Sequence, residues 1–336
     1  MSIPTTRLGR TGLVVSRLAL GTMTFGLQTD ETVSGQILDK ATEAGINFLD
    51  TADVYPLGGT VEITGRTEEI IGRWLTSKGP GARRRFIIAT KAVGKVGPNP
   101  WDQGASRKHL LDAIDASLAR LQTDYVDLYQ LHSDDRTTPL DESLEALDVI
   151  VRSGRARYIG VSNFLAYRLA RAIGRAELHR LTGIVCVQPR YSLLFREIER
   201  ELLPLAGEEG LGVIPYNPLA GGLLTGKYKP DTKLADNTRF TLGTAGSMYQ
   251  DRYWNERSFA TVAKLHALAD EAGVPLTTLA VAWVMANPLI TAPLLGASRP
   301  DQLDATIAAA GYALDPALKQ RLDELTAEYR KGDAPR

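Results

Sequence analysis

The sequence predicts an α/β fold of the (β/α)8, or TIM-barrel, class, with an N-terminal β-hairpin and a long loop after the seventh strand. Three observations lead there: eight short aliphatic runs recur down the chain, helix-like segments lie between them, and no composition break or Pro/Ser-rich linker divides the 336 residues. The runs are too short for helices and too continuous for half-exposed strands, which is how strands covered on both faces read. Eight such strands alternating with helices is the number that closes a barrel. An open doubly wound sheet would want G-x-G-x-x-G after its first strand, and ALGTMTFG has the wrong spacing there. The chain is therefore read as one domain, residues 1–336.

Each element has a local reason. TTRLGRTGLVVS sets turn residues between alternating positions and reads as a hairpin closing the barrel bottom. The strand runs are RLALGT, NFLDTA, FIIATK, VDLYQLH, RYIGVSN, IVCVQP, GVIPYNP and ITAPLLGAS, in that order. Apolar residues recur with a period near ~3.6 in ETVSGQILDKATEAG, SRKHLLDAIDASLARLQ, PLDESLEALDVIVRSG and ERSFATVAKLHALADEAG, which predicts helices. Ser106 stands as an N-cap before Arg107, and Gly45, Gly154 and Gly273 follow helical patterns where a left-handed cap is wanted. The stretch Leu219 to Asn255 follows the seventh strand, and so long a connection is usually functional or mobile.

Composition narrows the chemistry. Hydrophobic residues make up 44% and charged residues 23%, too apolar for a disordered chain. The 39 basic and 39 acidic residues cancel without like-charge runs, so neither a nucleic-acid nor a membrane-surface partner is expected. The single cysteine, Cys186 in GIVCVQ, excludes a disulfide framework and a cysteine metal site and reads as a buried thiol; no metal is expected. With no apolar leader in MSIPTTRLGRTG and no long apolar run, the expected location is the cytoplasm.

Barrel active sites form at the carboxyl ends of the strands. Asp50 ends NFLD, Lys91 ends FIIATK and His132 ends VDLYQLH, each 41 positions from the next, and Tyr55 follows Asp50 by five. Singly, each has an ordinary explanation as a cap, a solvated cation or a rim residue, and Asp53 reads as a turn former. Together they form a proton-transfer set. An Asp holds the neighbouring ammonium charged, and a Lys beside a Tyr lowers the phenol pKa from about 10. A phenol so tuned donates a proton to a developing alkoxide, while an imidazole hydrogen-bonds the same oxygen. A second signal is AGGLLTGKY, Ala220 to Tyr228, which matches G-x-x-x-x-G-K-[ST] until Tyr228 replaces the hydroxyl that would hold Mg²⁺. Barrels commonly hold phosphate in the loops after strands seven and eight, where this stretch and GASRPDQ lie.

LGRTGLVVSRLALGTMTFG, NFLDTADVY, FIIATK, DLYQLH, GVSNF, PYNPLAGGLLTGKY and LLGASRPDQL together resemble the aldo-keto reductase family along nearly the whole chain. The resemblance implies reduction of a small carbonyl compound with NADP(H) as cofactor. Tyr55 would be the general acid, Lys91 and Asp50 would tune it, and His132 would orient the substrate oxygen. Gly21, Thr22, Met23 and Asp50 would lie near the nicotinamide, Ser162, Asn163 and Gln188 would bind its carboxamide, and Tyr216 would stack on its ring. Asn217, Pro218, Leu219, Gly221, Gly222, Lys227 and Arg239 would line the phosphates; Gly296, Ser298, Arg299 and Gln302 would hold the adenosine 2′-phosphate end. Met23, Phe25, Tyr55, Trp101 and His132 would border the substrate; from residue type alone, Phe25, Trp101 and the cluster Tyr249, Tyr253 and Trp254 either wall such a pocket or cover the barrel rim. Four positions depart from the family pattern: Ala305 and Thr306 stand where Glu-Asn is frequent, Pro56 where glycine is common, and Asn217 where serine is frequent. Competing classes are a dinucleotide-binding regulatory protein like the channel-associated β subunits, a Schiff-base enzyme using Lys91, and an ATPase.

Overall fold

A computed structural model describes residues 3–236 and 238–331. Strands β1 (Thr5–Arg7) and β2 (Val14–Ser16) pair antiparallel as the expected hairpin. The other eight are β3 (Ala19–Gly21), β4 (Phe48–Asp50), β5 (Ile87–Ala92), β6 (Val126–Leu131), β7 (Ala156–Ser162), β8 (Ile184–Gln188), β9 (Gly212–Val213) and β10 (Leu294–Leu295). Each falls on one of the aliphatic runs, and they form one parallel sheet in the order β10-β3-β4-β5-β6-β7-β8-β9. The two edges meet: Thr291 N donates to Val213 O and Leu294 N to Pro215 O, both at 2.8 Å, so the sheet curls onto itself. Val213 N completes the seam by donating to Thr291 Oγ1 at 3.1 Å.

Twelve helices surround the sheet: α1 (Glu31–Glu43), α2 (Arg66–Ser77), α3 (Arg107–Leu121), α4 (Leu140–Arg152), α5 (Ala166–Leu178), α6 (Leu202–Glu209), α7 (Gly246–Tyr253), α8 (Glu256–Glu271), α9 (Leu276–Met285), α10 (Leu303–Ile307), α11 (Pro316–Leu325) and α12 (Glu328–Lys331) among the described residues. Ser106 Oγ caps α3 by accepting from His109 N, as its position before Arg107 predicts. Gly45, Gly154 and Gly273 have φ of +97°, +83° and +66°, the left-handed turn expected where helices stop. Among the described residues no single helix is long and apolar enough to cross a membrane.

Two apolar clusters hold the molecule. The larger joins the outer strand faces to the helices; the smaller gathers Ala19, Phe48, Ala89, Leu128, Cys186, Ile214 and Ala292 on the inner faces. Leu8 and Val15 of the hairpin join the inner cluster, so the hairpin plugs the barrel. It docks tightly enough that a Cβ on Gly9, at φ +57°, would meet Gly210 O at 2.4 Å. Cys186 is a free, buried thiol in that cluster. Toward the carboxyl ends the inner face carries the buried polar side chains Asp50, Lys91, Gln130 and Gln188.

The connection after β9 is not a plain loop: it contains a 3-10 segment, Ala220–Thr225, and helix α7. An aromatic box anchors it. Tyr228 meets Phe240 and Trp254 edge-on with centroids 5.2 and 5.5 Å apart, and Trp254 meets Phe240 and Phe259, both at 4.9 Å.

Candidate active site

Parallel register brings Asp50, Lys91 and His132 to one barrel mouth from adjacent strands, and a short loop folds Tyr55 over them. Lys91 Nζ donates to Asp50 Oδ1 at 2.5 Å and to Thr51 O at 2.6 Å, and both side chains of the ion pair are sealed from solvent. Above the pair, Lys91 Nζ lies 5.1 Å from the centroid of the Tyr55 ring, and His132 meets that ring edge-on at 5.7 Å. The sequence argument has the ammonium lowering the phenol pKa. In the structure burial pushes the Tyr55 phenol well above 10, and the Asp50 carboxylate adds to the rise. Lys91 stands over the ring face, with its hydrogen bonds directed to Asp50 and Thr51. His132 goes the other way: burial, then the Lys91 charge, lower its imidazole to about 3, so it is neutral at physiological pH. Tyr55 is thus held protonated and His132 unprotonated in one mouth.

A second set of polar groups continues around the rim. Asn163, in a left-handed turn at φ +57°, donates from Nδ2 to His132 O at 2.9 Å and accepts Tyr216 OH at 2.8 Å. Ser162 Oγ donates to Gln188 O at 2.8 Å. On the far side Thr22 Oγ1 donates to Asp50 O at 2.9 Å, and Leu57 N donates to Met23 O, tying the Tyr55 loop to the end of β3 beside Gly21. Trp101 projects half-exposed from the connection between β5 and α3, and Met23 is partly buried. Phe25, read as a pocket wall, belongs instead to the strand–helix core and is fully buried, because its loop turns inward against Thr67. Tyr249 and Tyr253 are likewise buried, and Trp254 belongs to the aromatic box.

The loop after β9 begins with Asn217, whose Oδ1 accepts from Gly221 N at 2.6 Å and whose Nδ2 donates to Tyr253 OH at 2.8 Å. Pro218 and Leu219 lead into Gly221 and Gly222, at φ +70° and +97°. A Cβ on Gly222 would meet nothing closer than 3.9 Å, which leaves that backbone open to a ligand. Lys227 is exposed, its ammonium 4.8 Å from the Tyr228 ring centroid. Arg239 lies near the Tyr249 ring, and its Nη1 is buried with no hydrogen-bond partner among the described residues. After β10, Gly296 borders open space, and Gln302 Oε1 accepts from Ser298 N at 2.8 Å. Gln302 therefore shapes the turn. Arg299 is exposed, with the exposed Asp301 against its guanidinium at 3.2 Å. Open glycine backbone, an unpartnered guanidinium nitrogen and an available arginine suit a phosphate-bearing dinucleotide.

The Tyr55 loop and the connection after β9 also touch. A Cβ on Gly243 would lie 1.9 Å from Gly58 O, and Thr244 N donates to that oxygen at 3.3 Å.

Residues 17–327 match the model of the aldo/keto reductase family. The chain belongs to the aldo/keto reductase family. It is 42% identical over 325 residues to the uncharacterized oxidoreductase YrpG of Bacillus subtilis (strain 168), with 95% of each chain covered. It is 38% identical to protein tas of Escherichia coli (strain K12), covering 90% of this chain and 91% of that protein. It is also 37% identical to a probable voltage-gated potassium channel subunit beta of Arabidopsis thaliana, with 88% of each covered.

Within this aldo/keto reductase, two buried polar residues escaped the sequence reading. Gln130 donates to Asp50 Oδ2 at 3.3 Å, and nothing in VDLYQLH separates it from a strand filler. Asp53, read as a turn former, caps nothing: it is buried, and neither carboxyl oxygen makes a hydrogen bond among the described residues. Here the turn is made by the backbone, Tyr55 N donating to Ala52 O, so the side chain is not needed for it.

Proposed function

We propose that this protein reduces an aldehyde or ketone to an alcohol using NADPH. The observation that carries the reading is the sealed Lys91–Asp50 pair beneath the Tyr55 ring, with His132 edge-on beside it. Bound NADPH would supply a hydride to the carbonyl carbon. The substrate oxygen sits between the Tyr55 hydroxyl and the His132 imidazole. His132, neutral through burial, donates one N–H to that oxygen without competing for the proton. Tyr55, kept protonated by burial, passes its proton to the oxygen as negative charge develops there. Lys91 over the ring then stabilises the phenolate left behind, and Asp50 keeps the ammonium charged.

Ser162, Asn163 and Gln188 would bind the nicotinamide carboxamide, with Tyr216 against its ring. Residues Asn217 to Gly222, with Lys227 and Arg239, would face the pyrophosphate, and Ser298 and Arg299 the 2′-phosphate, the contact that favours NADPH over NADH. Met23 and Trp101 would border the substrate.

Tyr55→Phe is expected to lower kcat by about 100-fold or more while NADPH binding is retained. Unchanged turnover would remove Tyr55 from its role. The similarity to a named channel subunit beta supports a second reading, a regulatory barrel that binds NADPH with little turnover. Tight NADPH binding with no oxidation across a broad carbonyl panel would favour it.

A further inference from the structure

Asp50 has two carboxylate oxygens and three side-chain donors. Oδ1 accepts from Lys91; Oδ2 accepts from Gln188 Nε2 at 2.8 Å and from Gln130 Nε2 at 3.3 Å. Gln130 is completely buried inside the barrel, in register with Lys91 on one side and Gly160 on the other. Its Oε1 has no hydrogen-bond partner among the described residues. A buried amide carbonyl left unpaired is destabilising, and a leucine or methionine would fill the same volume without that penalty. The neighbouring strand carries Gly160 here, where a Cβ would lie 3.0 Å from Cys186 O and 3.3 Å from both Cys186 Cβ and Gln130 Cγ. The unpaired carbonyl is the cost accepted at this place, and the gain there is the bond to Asp50.

We infer that Gln130 is a positioning residue that shares Asp50 Oδ2 with Gln188, so that Asp50 stays aligned on Lys91 when Gln188 turns to a bound nicotinamide. The inference rests on the NADPH reading above. In the structure both amides hold the carboxylate. When the cofactor engages Gln188, its bond to Asp50 is weakened, and Gln130 remains as the donor on that oxygen. Gln130 never touches the cofactor, yet it lowers the cost of binding it.

A double-mutant cycle on NADPH affinity, read by fluorescence titration of the full chain, tests this. Gln130→Met alone is expected to weaken NADPH binding roughly tenfold, because Gln188 is then the last amide on Asp50 and is harder to release. In a Gln188→Met background, the same substitution is expected to change the affinity no further. Gln130→Leu repeats the cycle if the methionine variant folds poorly. Factors that multiply independently in the double variant would overturn the inference, since a merely structural role predicts that result. Absence of NADPH binding by the parent would overturn both the inference and the reading beneath it. A parent that binds NADPH but reduces no carbonyl would overturn the reductase reading alone, because the cycle reads binding.

Discussion

Asp53 lies two positions before Tyr55 in sequence but answers to different neighbours. Its N–H donates to Lys91 O, while its carboxyl is buried beside Glu68, whose oxygens are already taken by Thr90 Oγ1 at 2.5 Å and Arg120 Nε at 2.7 Å. Burial first, and the Glu68 charge second, push the Asp53 pKa well above its usual value, against smaller opposing pulls from the Arg120 charge, the adjacent Val54 backbone N–H and the Lys91 charge. The sign of the stability effect follows. An unfolded Asp releases its proton near about 3.9. Between there and the raised folded value the folded state still holds a proton the unfolded chain has lost, so stability falls as pH rises. Asp53→Asn keeps the shape without the titration. Its melting temperature is expected to exceed the parent's by about 2–4 °C at pH 7, with the gap closing toward about pH 4. A gap that is constant with pH would mean Asp53 is not held protonated. DTADVY contains two acids, and residue type alone does not say which pairs with a lysine and which is left without a donor.

At the scale of elements, the strands, the caps and the strand-end positions of Asp50, Lys91 and His132 were legible because they depend on local pattern. Continuous aliphatic runs mark strands covered on both faces; Ser106 marks a helix start by its side-chain acceptor, and Gly45 marks a helix stop by its backbone preference. The connection after β9 was legible only as long. Its helix α7 and its anchoring depend on rings that meet across the chain, Tyr228 with Phe240 and Trp254, and no short pattern reports that. The same applies to Phe25, whose place in the core is set by the packing of α2 against its loop. Tyr228, which spoils the match to an ATP loop, is a buried member of this anchor. Tyr228→Ala is expected to speed limited proteolysis between residues 229 and 236 by about tenfold or more, since aromatic pairs contribute about 0.5–1.5 kcal/mol each beyond burial. NADPH affinity would fall with it, while the barrel's unfolding midpoint would move little. Unchanged cleavage, followed by mass spectrometry, would show that the box does not hold the segment.

For the whole molecule the barrel closes at a seam between β9 and β10, strands of two residues each, where a threonine side chain substitutes for part of the backbone ladder. Thr291→Val removes the acceptor of the buried Val213 N–H and is expected to cost about 1–3 kcal/mol of global stability in urea unfolding. A loss well below that would mean the seam is held by packing alone. The eightfold count was readable from the runs, but the way so short a pair closes the circle was not, because a side chain makes the bond. Gln130 was hidden for a similar reason: its meaning comes from Asp50, which reaches it across the barrel interior from another strand. The backbone contact of Gly58 with Gly243 bears on protein engineering. The connection after β9 and the loop bearing Tyr55 are cut to one template. A grafted loop with a side chain at position 243 would set a Cβ 1.9 Å from Gly58 O, and one with a side chain at position 58 would set it 2.7 Å from Leu242 O. Exchange of either loop must therefore keep both glycines or move both sides of that contact as one unit.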